Sequence, residues 1–212
     1  GADVRHLLAP ERLAARRAQA GPLGMEEPRG STVYLCAVDE SGMAVSFIQS
    51  IYYGWGSGIV APGTGIALQN RGACFEVNGG VEPGRRPYHT IIPGMLLRPG
   101  GGAGGDTLLG PFGVMGGFIQ AQAHLQLVSG IVDRGLDPQA ALDAPRFRLE
   151  SGKVNLEEGL WPRAAELEAA GHEVVLDRET YPFGGGQCIL ANEEGTLFGG
   201  SDPRKDGYAA GF

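Results

Sequence analysis

Gly30-Ser31-Thr32-Val33-Tyr34-Leu35-Cys36-Ala37-Val38-Asp39, then Glu40-Ser41-Gly42, then Met43-Ala44-Val45-Ser46-Phe47-Ile48-Gln49-Ser50 is the stretch on which the reading of this chain turns. Small residues lead into a threonine, and a run of strand character follows. A turn and a second strand-like run complete the pattern of a β-hairpin with a three-residue loop. Pairing Asp39 with Met43 sets the register, and Thr32 then lies opposite Ser50, within cross-strand contact distance. Two hydroxyls facing each other form a candidate nucleophile with a companion. The pattern by itself leaves open the plainer reading that they flank a surface hairpin.

Working outward, the composition is that of a chain that buries a core: 212 residues, 42% hydrophobic and 19% charged. The 37 glycines have no triplet period. That excludes collagen and favours a loop-rich α/β or β architecture. A net charge of -7 argues against nucleic acid and anionic membrane surfaces as partners. No apolar run approaches the ~18 residues of a membrane span. No apolar leader is visible either, so localisation leans to the cytoplasm as an expectation, with the native start left open. Cys36, Cys74 and Cys188 have neither metal-ligand nor disulfide spacing, and His6, His89, His124 and His172 do not cluster. No metal and no organic cofactor is expected.

Before the hairpin, residues 5–19 read as a short helical region and 25–30 as an exposed linker, the kind of place where chains are cut. After it, Tyr52 to Gly58 is an aromatic and glycine loop, either a tight surface turn or a wall facing a substrate. Ile66-Ala67-Leu68-Gln69 is a short strand candidate. Arg71, the one cation for some distance, is either a structural residue or a fork for a carboxylate. Thr90 to Leu97 and Leu108 to Val114 are strand candidates. From Phe118 to Asp133 apolar residues at 118, 121, 125, 128 and 132 recur with helical spacing, with 124, 127 and 131 beside them. Strand, Gly116-Gly117, then helix exposes backbone N–H groups at a helix start, where an oxyanion is stabilised. Short helices are expected from Asp137-Pro138 to near Ala144 and from Pro162 to Ala170. Glu173–Asp177, Gln187–Ala191 and Thr196–Phe198 are strand candidates, and Gly199 to Gly207 is turn chemistry.

These pieces, in this order, resemble the γ-glutamyltranspeptidase family of N-terminal-nucleophile (Ntn) hydrolases. The carriers are Thr32-Val33-Tyr34-Leu35-Cys36-Ala37-Val38-Asp39, Gly56-Ser57-Gly58-Ile59-Val60 and Leu68-Gln69-Asn70. Further on come Arg86-Pro87, Met115-Gly116-Gly117, Ala140 to Arg146, Gly200-Ser201-Asp202-Pro203-Arg204 and Ala210-Gly211-Phe212. The resemblance implies an α/β (α+β) fold, the αββα four-layer sandwich, of which this chain supplies part. Residues 32–212 would be the small, catalytic subunit, and residues 1–31 the tail of the large subunit with its processing linker. It implies self-cleavage between Ser31 and Thr32, after which the Thr32 hydroxyl is the nucleophile and its freed α-amine the base. Ser50 would be the second hydroxyl, and Gly116 and Gly117 the oxyanion hole. Tyr52, Asn70, Arg71, His89 and Thr90 fall in the substrate-binding set. The partners implied are the large subunit of the same precursor and a small γ-glutamyl or glutaryl-like amide.

The departures bear on substrate. Cys74 stands where well-studied transpeptidases carry the acidic residue that holds the donor's α-amine. His89-Thr90 replaces a serine pair, Tyr52 replaces an asparagine and Arg71 a glutamine. The pattern is closer to the branch of transpeptidase-like proteins and glutaryl-type acylases, whose acyl groups lack the α-amine. Three readings follow: a γ-glutamyltransferase-like amidohydrolase or acyltransferase, an acylase with little glutathione activity, and a non-catalytic binding or structural subunit.

Overall fold

The computed structural model describes residues 9, 11, 30–100 and 105–212. The expected helix over 5–19 and linker over 25–30 therefore lie outside the described residues, save for single positions. The hairpin forms as expected: β1 (Gly30–Val38) pairs antiparallel with β2 (Ala44–Tyr53), from Val38 with Ala44 to Thr32 with Ser50. The Asp39 N–H donates to the Met43 carbonyl at 3.0 Å. Asp39 Oδ1 accepts from Ser41 N at 2.9 Å and Met43 N at 3.0 Å, and Gly42 takes the left-handed φ of 81° that closes a three-residue loop. A bulge interrupts the ladder between Ser31 and Thr32, so Ser31 faces Tyr52.

The remaining strands form two sheets. One is β3 (Gly94–Arg98), β4 (Thr107–Met115), β8 (Gly185–Ala191) and β9 (Leu197–Ser201), in that order and antiparallel throughout. The other is β5 (Phe147–Glu150), β6 (Lys153–Leu156) and β7 (Glu173–Leu176), with β6 and β7 parallel. The helices are α1 (Ile119–Val132), α2 (Pro138–Asp143) and α3 (Ala164–Ala169). Phe112 and Val114 of β4 and Cys188 and Leu190 of β8 meet Ile119, Ala123, Leu127 and Ile131 of α1, with Ala141 and Leu142 of α2. On the other side of β4, a Cβ at Gly113 would sit 2.4 Å from the Tyr34 ring, so glycine there lets the hairpin pack on the sheet. Helices, sheet and hairpin are thus three successive layers of a mixed helix-and-sheet fold.

The hairpin's far face is apolar and uncovered: Val33 is 55% exposed, Leu35 47%, Val45 46% and Phe47 46%. A contiguous exposed apolar patch of this kind marks a surface for a further layer or partner.

Several expectations are corrected. Ile66–Gln69 forms no strand; only an isolated bridge joins Val60 to Ala67, in a loop punctuated by Gly63 and Gly65 with positive φ. The strand expected from Thr90 begins at Gly94, because Pro93 has no N–H to give a ladder. The helix expected from Pro162 starts at Ala164, and Pro162 lies inside a 3-10 helix over Glu158–Arg163. Gly199–Ser201 belong to β9 rather than to a turn. β5, β6 and the 3-10 helix Arg71–Asn78 are elements the pattern did not indicate. In α1 the expected helical spacing holds, and the buried face is Ile119, Ala123, Leu127 and Ile131, whereas Leu125 is 68% and Val132 61% exposed.

Candidate functional site

Strand alternation turns Thr32, Tyr34 and Cys36 toward the sheet, and Thr32 is buried at the mouth of β1. Its Oγ1 donates to Ser50 Oγ at 3.0 Å across the hairpin. Ser50 Oγ also accepts the Tyr52 N–H at 2.9 Å and Arg71 Nη2 at 3.3 Å. Three donors on one hydroxyl oxygen, one of them cationic, hold Ser50 in place. They also set a positive charge two hydrogen bonds from Thr32.

Arg71 opens the 3-10 helix and is only 5% exposed. Its Nη1 donates to Thr90 Oγ1 at 2.9 Å and approaches Cys74 Sγ at 4.0 Å, and its guanidinium lies 4.3 Å from the centroid of the Tyr52 ring. The Arg71 N–H is turned to Gln69 Oε1. No carboxylate pairs with Arg71 among the described residues. Tyr52 carries a left-handed φ of 76°, which costs a non-glycine residue of order 1 kcal/mol or more. Its hydroxyl is buried without a hydrogen-bond partner. Burial, and then the neighbouring Cys74, push its pKa up, so it remains a phenol.

The other expected residues fall around this cluster. Thr90 is buried against Arg71. His89 is exposed; its Nδ1 accepts the Ile91 N–H at 3.2 Å, and burial first, then the charge of Arg71, hold its pKa below the usual imidazole value. Asn70 supports the scaffold: its Oδ1 accepts the Tyr53 N–H at 3.0 Å and its own N–H reaches the Ile51 carbonyl at 3.2 Å, tying the end of β2 to the 3-10 helix. Gly116 and Gly117, with φ of 142° and 70°, join β4 to α1. A Cβ on Gly116 would lie 2.8 Å from Ile119 Cγ2 and 2.9 Å from Gly184 Cα. Tyr88 stacks on Phe118 with centroids 5.8 Å apart, which brings the segment carrying His89 and Thr90 against the residue after the glycine pair. In the aromatic loop Trp55 is 86% exposed, and Gly56 packs so closely on the Leu68 carbonyl that no side chain fits.

The end of β4 is fixed from the helix layer. His124 Nε2 accepts the Val114 N–H at 2.9 Å, and burial, then Arg146, lower its pKa to about 4. An arrangement that the sequence reading had not indicated lies farther along. Arg146 Nη2 pairs with Asp202 Oδ2 at 2.6 Å, Arg204 with Glu157 at 2.5 Å and with Asp202 Oδ1 at 3.0 Å, and all four side chains are buried. Asp202 also accepts the Gly186 N–H at 3.0 Å, and Glu157 the Arg146 N–H at 2.6 Å. The runs Pro145-Arg146 and Asp202-Pro203-Arg204 carried the family resemblance; their charges, opposite in sign within apolar surroundings, were the signal for the pairing.

The fold agrees with what comparison with known proteins finds. The gamma-glutamyltranspeptidase family model matches residues 2–212. An oxamate amidohydrolase proenzyme of Klebsiella pneumoniae is 37% identical over 99% of this chain and 42% of its own length. A glutathione hydrolase-like proenzyme of Bacillus subtilis is 35% identical over 92% of this chain and 37% of its own length. Among solved structures, a cephalosporin acylase from Bacillus halodurans superposes with a TM-score of 0.79 and 42% identity, over 99% of this chain and 40% of that one. The chain belongs to the gamma-glutamyltranspeptidase family, in the company of its hydrolase-like and acylase members, and spans about two-fifths of the length of these relatives.

Proposed function

We propose that this chain is the catalytic part of a self-cleaving Ntn amidohydrolase or acyltransferase, with Thr32 as nucleophile. The observation that carries the reading is the buried Thr32 Oγ1–Ser50 Oγ hydrogen bond of 3.0 Å, one residue from the bulge at Ser31. Cleavage of the Ser31–Thr32 peptide bond frees an α-amine whose ordinary pKa, about 8, suits a general base near neutral pH. That amine takes the Oγ1 proton as oxygen attacks the amide carbonyl. The oxyanion of the tetrahedral intermediate is received by the backbone N–H groups of Gly116 and Gly117, worth about 3 kcal/mol in comparable sites. Collapse breaks the C–N bond, and the proton passes to the departing amine. Water, or an acceptor amine, then attacks the ester and restores Thr32.

The partner is the large subunit of the same precursor. The uncovered apolar face of the hairpin, and relatives more than twice this length that are named proenzymes, support it. Within the family, an acylase for side chains lacking an α-amine is favoured over glutathione hydrolysis, because Cys74 supplies no carboxylate for an ammonium. The test uses the full-length protein: intact mass should show cleavage before Thr32, and Thr32→Ala should abolish both cleavage and amide turnover. A Thr32→Ala protein that self-cleaves and keeps its amidase activity would falsify the assignment.

A further inference from the structure

A side-chain amide buried with neither of its polar atoms paired costs stability, and a hydrocarbon of the same shape would not. Gln120 is such a group. It is 1% exposed, on the buried face of α1 with Ile119, Ala123 and Leu127, and neither Oε1 nor Nε2 has a hydrogen-bond partner among the described residues. Its position in the fold identifies what it faces. After the Gly116-Gly117 turn α1 runs back along β4, and one contact sets their register: His124 Nε2 accepts the Val114 N–H at 2.9 Å. One helical turn toward the N-terminus, from His124 to Gln120, is about 5.4 Å. Two residues along the chain, from Val114 to Gly116, are about 6.6 Å in extended backbone. Helical side chains also lean toward the N-terminus, over the turn before their own Cα. Gln120 is therefore set against the glycine pair as His124 is set against Val114.

The layers give that position a use. The hairpin with Thr32 lies on one side of β4, and α1 on the other. A trans peptide points its N–H and its C=O in opposite directions. When the Gly117 N–H is turned to an oxyanion on the Thr32 side, the Gly116 carbonyl is turned toward α1, where a buried acceptor needs a donor. Among the described residues no backbone N–H donates to the Gly116 carbonyl, whereas the Gly117 carbonyl takes the N–H of Gln120 at 3.3 Å. We propose that Gln120 is a positioning residue for the reaction: its Nε2 donates to the Gly116 carbonyl as the Gly117 N–H takes the oxyanion, and so braces the turn from behind. The inference rests on the assignment of the oxyanion to Gly116 and Gly117. The bond is not made in this structure, and it belongs to the state with a substrate oxyanion, in which catalytic hydrogen bonds close. An unpaired amide in a dry core is then stability given up for a step of the reaction.

The test uses the full-length protein with glutaryl-4-nitroanilide and γ-glutamyl-4-nitroanilide as probes, cleavage before Thr32 being checked by intact mass for every variant. Gln120→Met should lower kcat about 10- to 30-fold with KM within about twofold of wild type, the pattern of a lost transition-state interaction. Its urea midpoint should stay at or above that of wild type, because the apolar side chain removes the unpaired amide. Gln120→Glu separates donor from shape. A buried carboxyl donates only while protonated, so its rate relative to wild type at the same pH should be highest at low pH and fall as pH rises. A Gln120→Met protein with wild-type kcat, or one whose lost kcat comes with a lowered urea midpoint, overturns the inference. So does a Gln120→Glu to wild-type ratio that is constant from pH 5 to 9, and this ratio decides where Gln120→Met is left uncleaved. A Thr32→Ala protein that keeps amide turnover counts against Thr32 and leaves the comparison at Gln120 standing. A wild type that turns over neither anilide overturns both.

Discussion

Arg146 and Arg71 are both buried arginines, and the protein deals with their charge in opposite ways. Around Arg146 the compensation is complete: Asp202 and Glu157 balance Arg146 and Arg204, and backbone carbonyls at Phe183, Leu142 and Ala144 take donors left over. That network stitches α2, β9 and the segments before β5 and after β6. Around Arg71, among the described residues, the contacts are the Thr90 and Ser50 hydroxyls, the Cys74 sulfur and the Tyr52 ring, no carboxylate pairs with it, and the backbone at Tyr52 is strained. The two arginines thus differ in kind: the charge of Arg146 is balanced within the chain, and that of Arg71 is not paired with a carboxylate among the described residues.

Measurements on the full-length protein separate the two arginines. The largest effect is expected at the closed network. Arg146→Met leaves Asp202 with one partner fewer in a dry setting and should cost about 3–5 kcal/mol in chemical denaturation. Equal stability would show that the network contributes little.

Next comes a pH effect near Arg146. The pKa of His124 is lowered to about 4 by burial and then by Arg146. The folded state therefore binds the proton less readily than the unfolded chain, whose imidazole has a pKa near 6.5. The stability of neutral His124 is fully present above about 6.5 and is lost as pH falls toward 4, up to about 3 kcal/mol across that window. His124→Gln should flatten the slope, which denaturation between pH 4 and 7 reads directly.

Gly113→Ala should follow, with a cost of about 1–3 kcal/mol, because its methyl group would meet the Tyr34 ring at 2.4 Å and push the hairpin off the sheet. Adding Tyr34→Leu to Gly113→Ala should recover part of the loss. The smallest stability effect is expected at Arg71: Arg71→Met should change denaturation by less than about 1 kcal/mol, since no carboxylate among the described residues pairs with the charge it removes. If Arg71→Met is as destabilising as Arg146→Met, the contrast between the two arginines fails.

The hairpin was the part of the fold most legible in sequence. Loop length and alternation set its register from Val38 with Ala44 to Thr32 with Ser50, and only the bulge at Ser31 escaped, because an extra residue leaves no mark in a two-residue period. The strands β4, β7 and β8 and the helices α1 and α2 were also visible in apolar spacing and in proline and glycine punctuation. The face of α1 was not. Apolar residues occur on several sides of that helix, and what buries Ile119 and Leu127 while leaving Leu125 exposed is the position of β4 and β8. Apart from the Thr32–Ser50 pair, the residues of the candidate site were nameable one by one, but their relations were not.

Local spacing, then, determined what a chain of this composition can decide within a few residues: where the hairpin turns, which hydroxyls oppose each other and where a glycine pair opens a helix. Tertiary structure decided the balance of charge. Arg146 finds the carboxylate of Asp202 56 residues away, whereas Arg71 reaches the hydroxyls of Thr90, 19 residues on, and Ser50, 21 residues back. The physical reason is that screening and pairing depend on distance through space and on exclusion of water, neither of which has a period along the chain.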